Sequence, residues 1–398
     1  MVSARVSADH VPVVIVGGEL NGLGLVRSFA RQAIPVVVVD TRRRRAALWS
    51  RHAKAHLVRS YAGQSFIDDL IALAQTFESR PLLFLTDEDA VHSVSEHRER
   101  LAPWYRFRLP DDPNVKLLSN KAKFHRFALE RRFPVPNTVV MNDATEIGKL
   151  GELRFPCVIK PDDKRDVVSR GKERAVRVES LTDATGKATA MLSTPGAIVA
   201  QEWITGAESN IYFTLFYRGD DGHVAGIFTG RKLLCSPPDV GSTAVCVAAP
   251  EARAELEALT LAFAEESGFV GMGSMEYKWD DVHHRFVMVE PTVGRSDWQE
   301  EVATLNGVNI PVAAYRYELG LPALPAATER APVAWCANFG QRPPAALLNA
   351  RARMIDGYFR WTDPLPALHY YCLDRPLTLL AHWLRAPQRP TQQAPAKG

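Results

Sequence analysis

The 398-residue sequence is short of cysteine, of net charge and of long apolar runs, and each shortage excludes a class. Its five cysteines, Cys157, Cys235, Cys246, Cys336 and Cys372, are scattered and form no Cys-x-x-Cys pair. That argues against a zinc site and a disulfide framework, and makes a reducing cytoplasm the expected location. Lys plus Arg total 48 against 45 Asp plus Glu, and the resulting +3 is too balanced for a nucleic-acid partner. The basic run Arg42–Arg45 is local and reads as a solvated loop. No apolar stretch approaches the ~18 residues of a membrane span, so no membrane partner is expected. Polar residues Met1–His10 lead into a short apolar run and then a glycine loop, which is not the pattern of a secretory leader.

What is present is ordinary globular composition: 46% hydrophobic, 23% charged and 9% aromatic. At roughly 150 residues per domain the length allows two or three domains. Val13–Val16, Val36–Val39 and Leu82–Leu85 are continuous apolar runs separated by helical patterns, which predicts an α/β unit with a parallel sheet. Gly17–Gly24 reads as the first turn, with a helix over Leu25–Gln32. A helical pattern over Asn120–Arg132 closes this unit. Beyond it the alternation changes. Cys157–Lys160, Ala175–Val178 and Ile198–Glu202 read as short strands, and Ile211–Tyr217 with Val224–Thr229 as an antiparallel pair. A helix over Glu251–Ser267 precedes a hairpin of Gly273–Trp279 and Arg285–Glu290, and Asn309–Gly320 is helical. The end, Pro387–Gly398, is rich in Pro, Gln and Ala and reads as a disordered tail.

The glycine turn invites a dinucleotide reading, but glycines at 17, 18, 22 and 24 do not make Gly-x-Gly-x-x-Gly. Asp40 stands where a ribose-binding acid would be, so a bound dinucleotide, a substrate anion and a structural turn all stay open. A second constellation is more specific. Lys160 closes an apolar strand, a position suited to phosphate oxygens. About 40 residues later, Gln201-Glu202-Trp203-Ile204-Thr205-Gly206-Ala207-Glu208 offers backbone groups to an adenine and a carboxylate to ribose hydroxyls. Glu276 and Glu290 lie on paired strands, which sets two carboxylates side by side as Mg²⁺ requires. Each acid alone is an ordinary surface carboxylate; the ordered set is not.

That set resembles the ATP-grasp superfamily, and within it the carboxylate–amine ligase-like members, over about Val11–Gly320. Asn120-Lys121 with Phe133-Pro134-Val135-Pro136 is similar to the family's first phosphate-lysine element. Gln201–Glu208 is similar to its hinge, and Met275-Glu276-Tyr277-Lys278 with Val289-Glu290-Pro291-Thr292 to its metal-binding strands. The resemblance implies Lys121 and Lys160 at the phosphates, and Glu202, Trp203 and Ile204 at the adenine. It further implies Glu208 at the ribose, and Glu276, Glu290 and Thr292 at Mg²⁺. Thr292 replaces the family's asparagine, and Arg295 is displaced by one position. The usual glycine-rich lid is replaced by basic 162–171, which makes Lys164, Arg165 or Arg170 its phosphate contacts. Lys232, beside Arg231 at an expected strand end, is assigned to the transferred phosphoryl group, and Arg295 to the substrate carboxylate. Asp87 and Asp89 read either as an amine site or as a helix cap. His283 and His284 read as surface, and Trp298, Trp335 and Trp361 as core or pocket wall.

The implied architecture is α/β: a Rossmann-like domain over 1–118, then a two-lobed ATP-grasp unit. Its lid lobe covers 119–203 and its metal-bearing lobe 204–320, followed by a C-terminal extension over 321–386 and a tail over 387–398. The implied activity is ATP-dependent joining of a small-molecule carboxylate to an amine through an acyl phosphate. ATP and Mg²⁺ are the expected cofactors, and a homodimer is compatible with the sequence. An acceptor of another kind, such as a thiol or phosphate, and a non-catalytic ATP-binding protein remain as alternatives.

Overall fold

The computed structural model describes residues 11–377 except 163–174, 239–240, 326–330, 346–347 and 349–351. The expected lid contacts Lys164, Arg165 and Arg170 and the tail 387–398 lie outside the described residues.

The first layer is a parallel sheet of β1 (Val13–Val16), β2 (Val36–Asp40), β3 (Lys54–Leu57) and β4 (Leu82–Leu85), in the order β3-β2-β1-β4. Every residue of β1 and β4 is buried, as expected of strands covered on both faces. Helices α1 (Leu20–Ala30), α2 (Gln64–Ala74), α3 (Glu88–Glu96), α4 (Arg98–Leu101) and α5 (Asp112–Ser119) accompany it.

The glycine turn is shorter than the sequence suggested. It ends at Glu19, and Gly22 and Gly24 lie inside α1. A Cβ on Gly22 would fall 2.1 Å from Gly17 O, so the helix can press onto its own entry loop only without a side chain there. Asp40 is buried at the end of β2. Its carboxylate accepts from Gly18 N (2.6 Å) and Arg42 N (2.8 Å), bracing the loop.

Helix α6 (Lys121–Glu130) leads to the second sheet, β5 (Thr138–Met141), β6 (Cys157–Pro161), β7 (Val176–Val178) and β8 (Ile198–Glu202), antiparallel in the order β5-β8-β6-β7. Helix α7 (Leu181–Leu192) buries Ala184, Ala188 and Met191 against it.

The third sheet has seven strands in the order β13-β12-β9-β10-β11-β14-β15. These are β9 (Ile211–Arg218), β10 (Val224–Ser236), β11 (Ser242–Ala248), β12 (Gly271–Asp280), β13 (Arg285–Val293), β14 (Val333–Cys336) and β15 (Arg353–Asp356). Helix α8 (Arg253–Glu266) packs on one face through Leu256, Thr260 and Phe263. On the other face, α9 (Glu301–Leu305) and α10 (Ile310–Glu318) lie between this sheet and α1, with Val13, Ile15, Phe213, Leu215 and Trp335 in one core. The C-terminal extension is thus part of the large sheet: β14 and β15 form its edge, and α11 (Leu365–His369) packs back beside Ala46–Trp49. Of the three tryptophans read as core or wall, Trp335 is buried and Trp298 packs against the core. Trp361 is 86% exposed, contrary to that reading.

Candidate active site

Lys121 is the first residue of α6, whose N-cap is Asn120; the Asn120 side chain accepts from Lys123 N at 2.8 Å. The helix start is fixed to the end of β6. Asp162 accepts from Asn120 Nδ2 (2.7 Å) and from Ala122 N (2.9 Å). This aims Lys121 Nζ to within 3.3 Å of Glu290 Oε2 on β13. Both line an open pocket of about 210 Å³ with Leu118, Ser119, Phe124 and Pro291, and the buried Ser119 Oγ has no partner among the described residues.

Lys160, on β6, donates to Gln201 Oε1 on β8 at 3.1 Å. The other end of that amide faces the ring of His125 (2.5 Å to Nε2) and Thr138 Oγ1 (3.2 Å). Burial, with Lys160 nearby, pushes the His125 pKa down to about 3, so its ring is neutral and Nε2 accepts. A neutral imidazole therefore fixes the Gln201 amide with its oxygen toward the lysine. His125 was not singled out in the sequence. The available signal was its place four residues after Lys121, on the same helix face.

At the hinge, Glu202 Oε1 accepts from Asn137 Nδ2 (3.1 Å) and Arg154 N (2.9 Å), so its side chain holds the turn together. Trp203 N donates to Pro156 O at 2.9 Å, and the Arg177 guanidinium lies 5.1 Å from the Trp203 ring centre. Among the described residues Ile204 N makes no such bond. Glu208 Oε2 accepts from Cys235 N at 2.9 Å. The loop between them depends on Lys278, a residue quoted in the metal-strand motif but given no role. Buried on β12, it donates to Gly206 O (3.1 Å) and Ala207 O (2.9 Å).

Glu276 and Glu290 are direct cross-strand partners on β12 and β13, and Ser274 is paired with Thr292. Side chains alternate along a strand, so Ser274, Glu276 and Lys278 share one face of β12, with Glu290 and Thr292 beside them. Glu276 makes a short ion pair with buried Lys232. Burial disfavours the Lys232 ammonium, but Glu276, aided by Cys235 and Asp297, outweighs it and raises its pKa above that of an ordinary lysine. Lys232 and Arg231 are not at a strand end, because β10 continues to Ser236. They point to opposite faces, and Arg231 is paired with Glu251 at 3.7 Å, away from Glu276.

Past β13, Gly294 (φ +69°) turns the chain toward the first sheet. There Ser296 N donates to Leu85 O at 3.1 Å, and Asn21 Nδ2 reaches both Thr86 O (3.0 Å) and Ser296 O (3.3 Å). Arg295 is thereby set at the carboxyl ends of the parallel strands, 3.8 Å from Glu88. Asp87 is the cap of α3, accepting from Asp89 N and Ala90 N, and Asp89 is exposed. His283 and His284 are exposed. A larger pocket of about 360 Å³ lies between β4 and β9 and is bridged by the Arg108–Glu318 pair (2.5 Å); none of the lysines or acids above lines it.

No protein-family model matches the sequence. The chain is similar to a D-aspartate ligase of Enterococcus faecium (strain Aus0004), with 22% identity over 329 residues, 78% of this chain and 77% of that protein. Among solved structures it superposes on the N5-carboxyaminoimidazole ribonucleotide synthetase of Thermus thermophilus with a TM-score of 0.63 and 16% identity, over 84% of this chain and 85% of that one. The ADP complex of the Staphylococcus aureus N5-carboxyaminoimidazole synthetase gives 0.62 and 13%, over 81% and 80%. The ATP-analogue complex of Campylobacter jejuni biotin carboxylase gives 0.62 and 16%, over 80% and 73%. The chain has the ATP-grasp fold. It is similar to the carboxylate–amine ligases of that superfamily.

Proposed function

We propose that the chain is an ATP-dependent ligase that joins a carboxylate to an amine through an acyl phosphate, releasing ADP and phosphate. The observation that best supports this is the pair Glu276 and Glu290, adjacent across two strands and each held by a lysine, Lys232 and Lys121. On this reading 119–203 is the lid lobe and 204–320 the metal-bearing lobe. Lys121 and Lys160 take the phosphates, Ile204 N–H and the hinge backbone the adenine, and Glu208 the ribose. Glu202 holds the hinge in shape.

The donor set fits Mg²⁺. Two carboxylates and the Thr292 hydroxyl are hard oxygen ligands, and among the described residues no third acid joins them, so phosphate oxygens and water complete the shell. Mg²⁺ held there supplies charge neutralisation for the phosphoryl group in transfer. Arg295 orients the substrate carboxylate at the mouth of the first sheet. A carboxylate oxygen attacks the γ-phosphorus as ADP leaves. The amine nitrogen then attacks the acyl carbon, the C–O bond to phosphate breaks, and the nitrogen gives up a proton. The chain's own part is positioning and electrostatics, with no protein nucleophile.

The test is an ADP-release screen of amino acids and small carboxylates, starting with D-aspartate because the E. faecium relative is named for it. Hydroxylamine in place of the amine is expected to trap a hydroxamate. AMP as product would mean adenylation and overturn the mechanism. Glu290→Gln is expected to abolish turnover and leave ATP binding, and Thr292→Asn to be tolerated. Lys160→Ala should weaken ATP about tenfold or more, because it removes a charge-assisted contact.

A further inference from the structure

Trp361 leads to a surface that the catalytic reading does not use. Helix α11 and the turn after it bury Pro366, Ala367 and His369 but face Leu365 (49% exposed), Leu368 (55%), Leu373 and Leu377 outward. Trp361 lies in the turn that leads into α11. The patch is continuous through its rings: Trp361 meets Phe359 at 4.9 Å, Phe359 meets the exposed Phe339 at 6.0 Å, and Phe339 stacks on Tyr371 at 5.5 Å. On its other flank the exposed Trp49 stacks on His369 at 4.4 Å and donates from Nε1 to Arg43 O. That contact brings the solvent-facing Arg42, Arg43 and Arg44 alongside the apolar stripe, with Arg375 at its far end near Gly340. Asp374 offsets one of these charges.

We propose that this face docks on an anionic lipid surface. An outward stripe of Leu and Trp flanked by arginines is the composition of a helix lying in the plane of a membrane interface. The expectation of no membrane contact rested on the missing long apolar run. No described helix is long and apolar enough to cross a bilayer, and surface docking needs none. Charge separates this occupant from the others. Residues 378–398 contain Leu379, Leu380, Trp383 and Leu384 with Arg385, Arg389 and Lys397, and no Asp or Glu. By composition that segment offers the arginines no counter-charge. A second copy presenting the same face brings the same arginines, with Asp374 as the one acid named in it. A lipid surface with acidic headgroups meets both the stripe and the arginines. The inference is independent of the ligase reading, because no residue in it belongs to the nucleotide site.

The experiment is co-sedimentation of the full chain with vesicles of phosphatidylcholine alone or with about 30 mol % phosphatidylglycerol. Binding is expected to the anionic vesicles, and to fall in about 0.5 M salt, where exposed charges are screened within a few ångströms. The combined Trp361→Ser, Leu365→Ser, Leu368→Ser variant should bind at least tenfold more weakly, and so should Arg42→Gln, Arg43→Gln, Arg44→Gln. Both variants should keep ATP affinity, which shows that they are folded. Equal binding to neutral vesicles, or none to anionic ones, overturns the proposal. So does a wild-type dimer in light scattering that the Trp361 variant dissociates, because the stripe would then be a subunit contact.

Discussion

At the scale of single residues, the candidate site is held by side chains packed behind it. Lys160 is aimed by Gln201, and Gln201 by a histidine whose ring is kept neutral by burial. The sign of the pH effect follows from the pKa, which falls from an ordinary 6.5 to about 3 on folding. Between those values the unfolded chain binds the extra proton, so the stability due to neutral His125 is complete above about pH 6.5 and is lost as pH falls toward 3. His125→Phe removes both that proton and the acceptor for Gln201. The KM for ATP is expected to rise several-fold with kcat within about twofold, because a loosened Lys160 costs a charge-assisted contact. Urea unfolding from pH 7 to 4 should also show a flatter acid decline than wild type. An unchanged KM would mean that Gln201 holds Lys160 without the ring. Lys160 was legible in the sequence because it closes an apolar strand. His125 was not: its spacing from Lys121 puts both on one helix face, but nothing local shows that it meets Gln201 on another element.

At the scale of elements, β12 does three things with one face. Ser274 Oγ donates to Asp297 at 2.9 Å, Glu276 pairs with Lys232, and Lys278 holds the loop that carries Glu208. Lys278→Met keeps the length of the stem and removes the two carbonyl contacts. Titration calorimetry of ATP should show about a tenfold loss or more, from two charge-assisted bonds to a loop that must be ordered for the nucleotide. The residue should leave the Mg²⁺ dependence of ADP release unchanged, because Glu276 and its partner are untouched. A changed Mg²⁺ dependence with intact ATP binding would place Lys278 in the metal site instead. Strands of continuous or alternating apolar residues, such as Val13–Val16 and Gly273–Trp279, were legible in the sequence. Lys54–Leu57 was not, because it is a largely exposed edge strand with no apolar run. The end of β10 was misread for a different reason. A charged pair in mid-sequence looks like a terminus, yet Arg231 and Lys232 each find a carboxylate on opposite faces, and the strand continues through Leu233-Leu234-Cys235.

At the scale of the molecule, the C-terminal extension is tied to the first layer by buried charge. Arg27 on α1 donates to Gly357 O (2.6 Å) and Tyr358 O (2.5 Å), and its Nε lies 3.4 Å from Asp363. Asp363 also accepts from Ser50 Oγ (2.9 Å) and Arg51 N (3.0 Å), while Arg360 is paired with Glu301 at 2.6 Å. The pairing of residues some 300 positions apart is invisible to any local pattern, so the sequence marked the extension but not its attachment. Arg27 is 6% exposed and Asp363 1%, and without Asp363 the guanidinium keeps Glu301 at 3.9 Å as its carboxylate partner. Asp363→Ala should cost about 1–3 kcal/mol in urea unfolding, from the Ser50, Arg51 and Arg27 donors left without their acceptor. Asp363→Asn retains one acceptor oxygen, for either Ser50 Oγ or Arg51 N, and should cost less. Because β14 and β15 complete the large sheet and share the core with Val13 and Ile15, the loss should appear as one transition at lower urea with unchanged slope. If the mutant instead loses the extension first, with ATP binding intact until a second transition, the buried charges join two separable units and the common core is not cooperative.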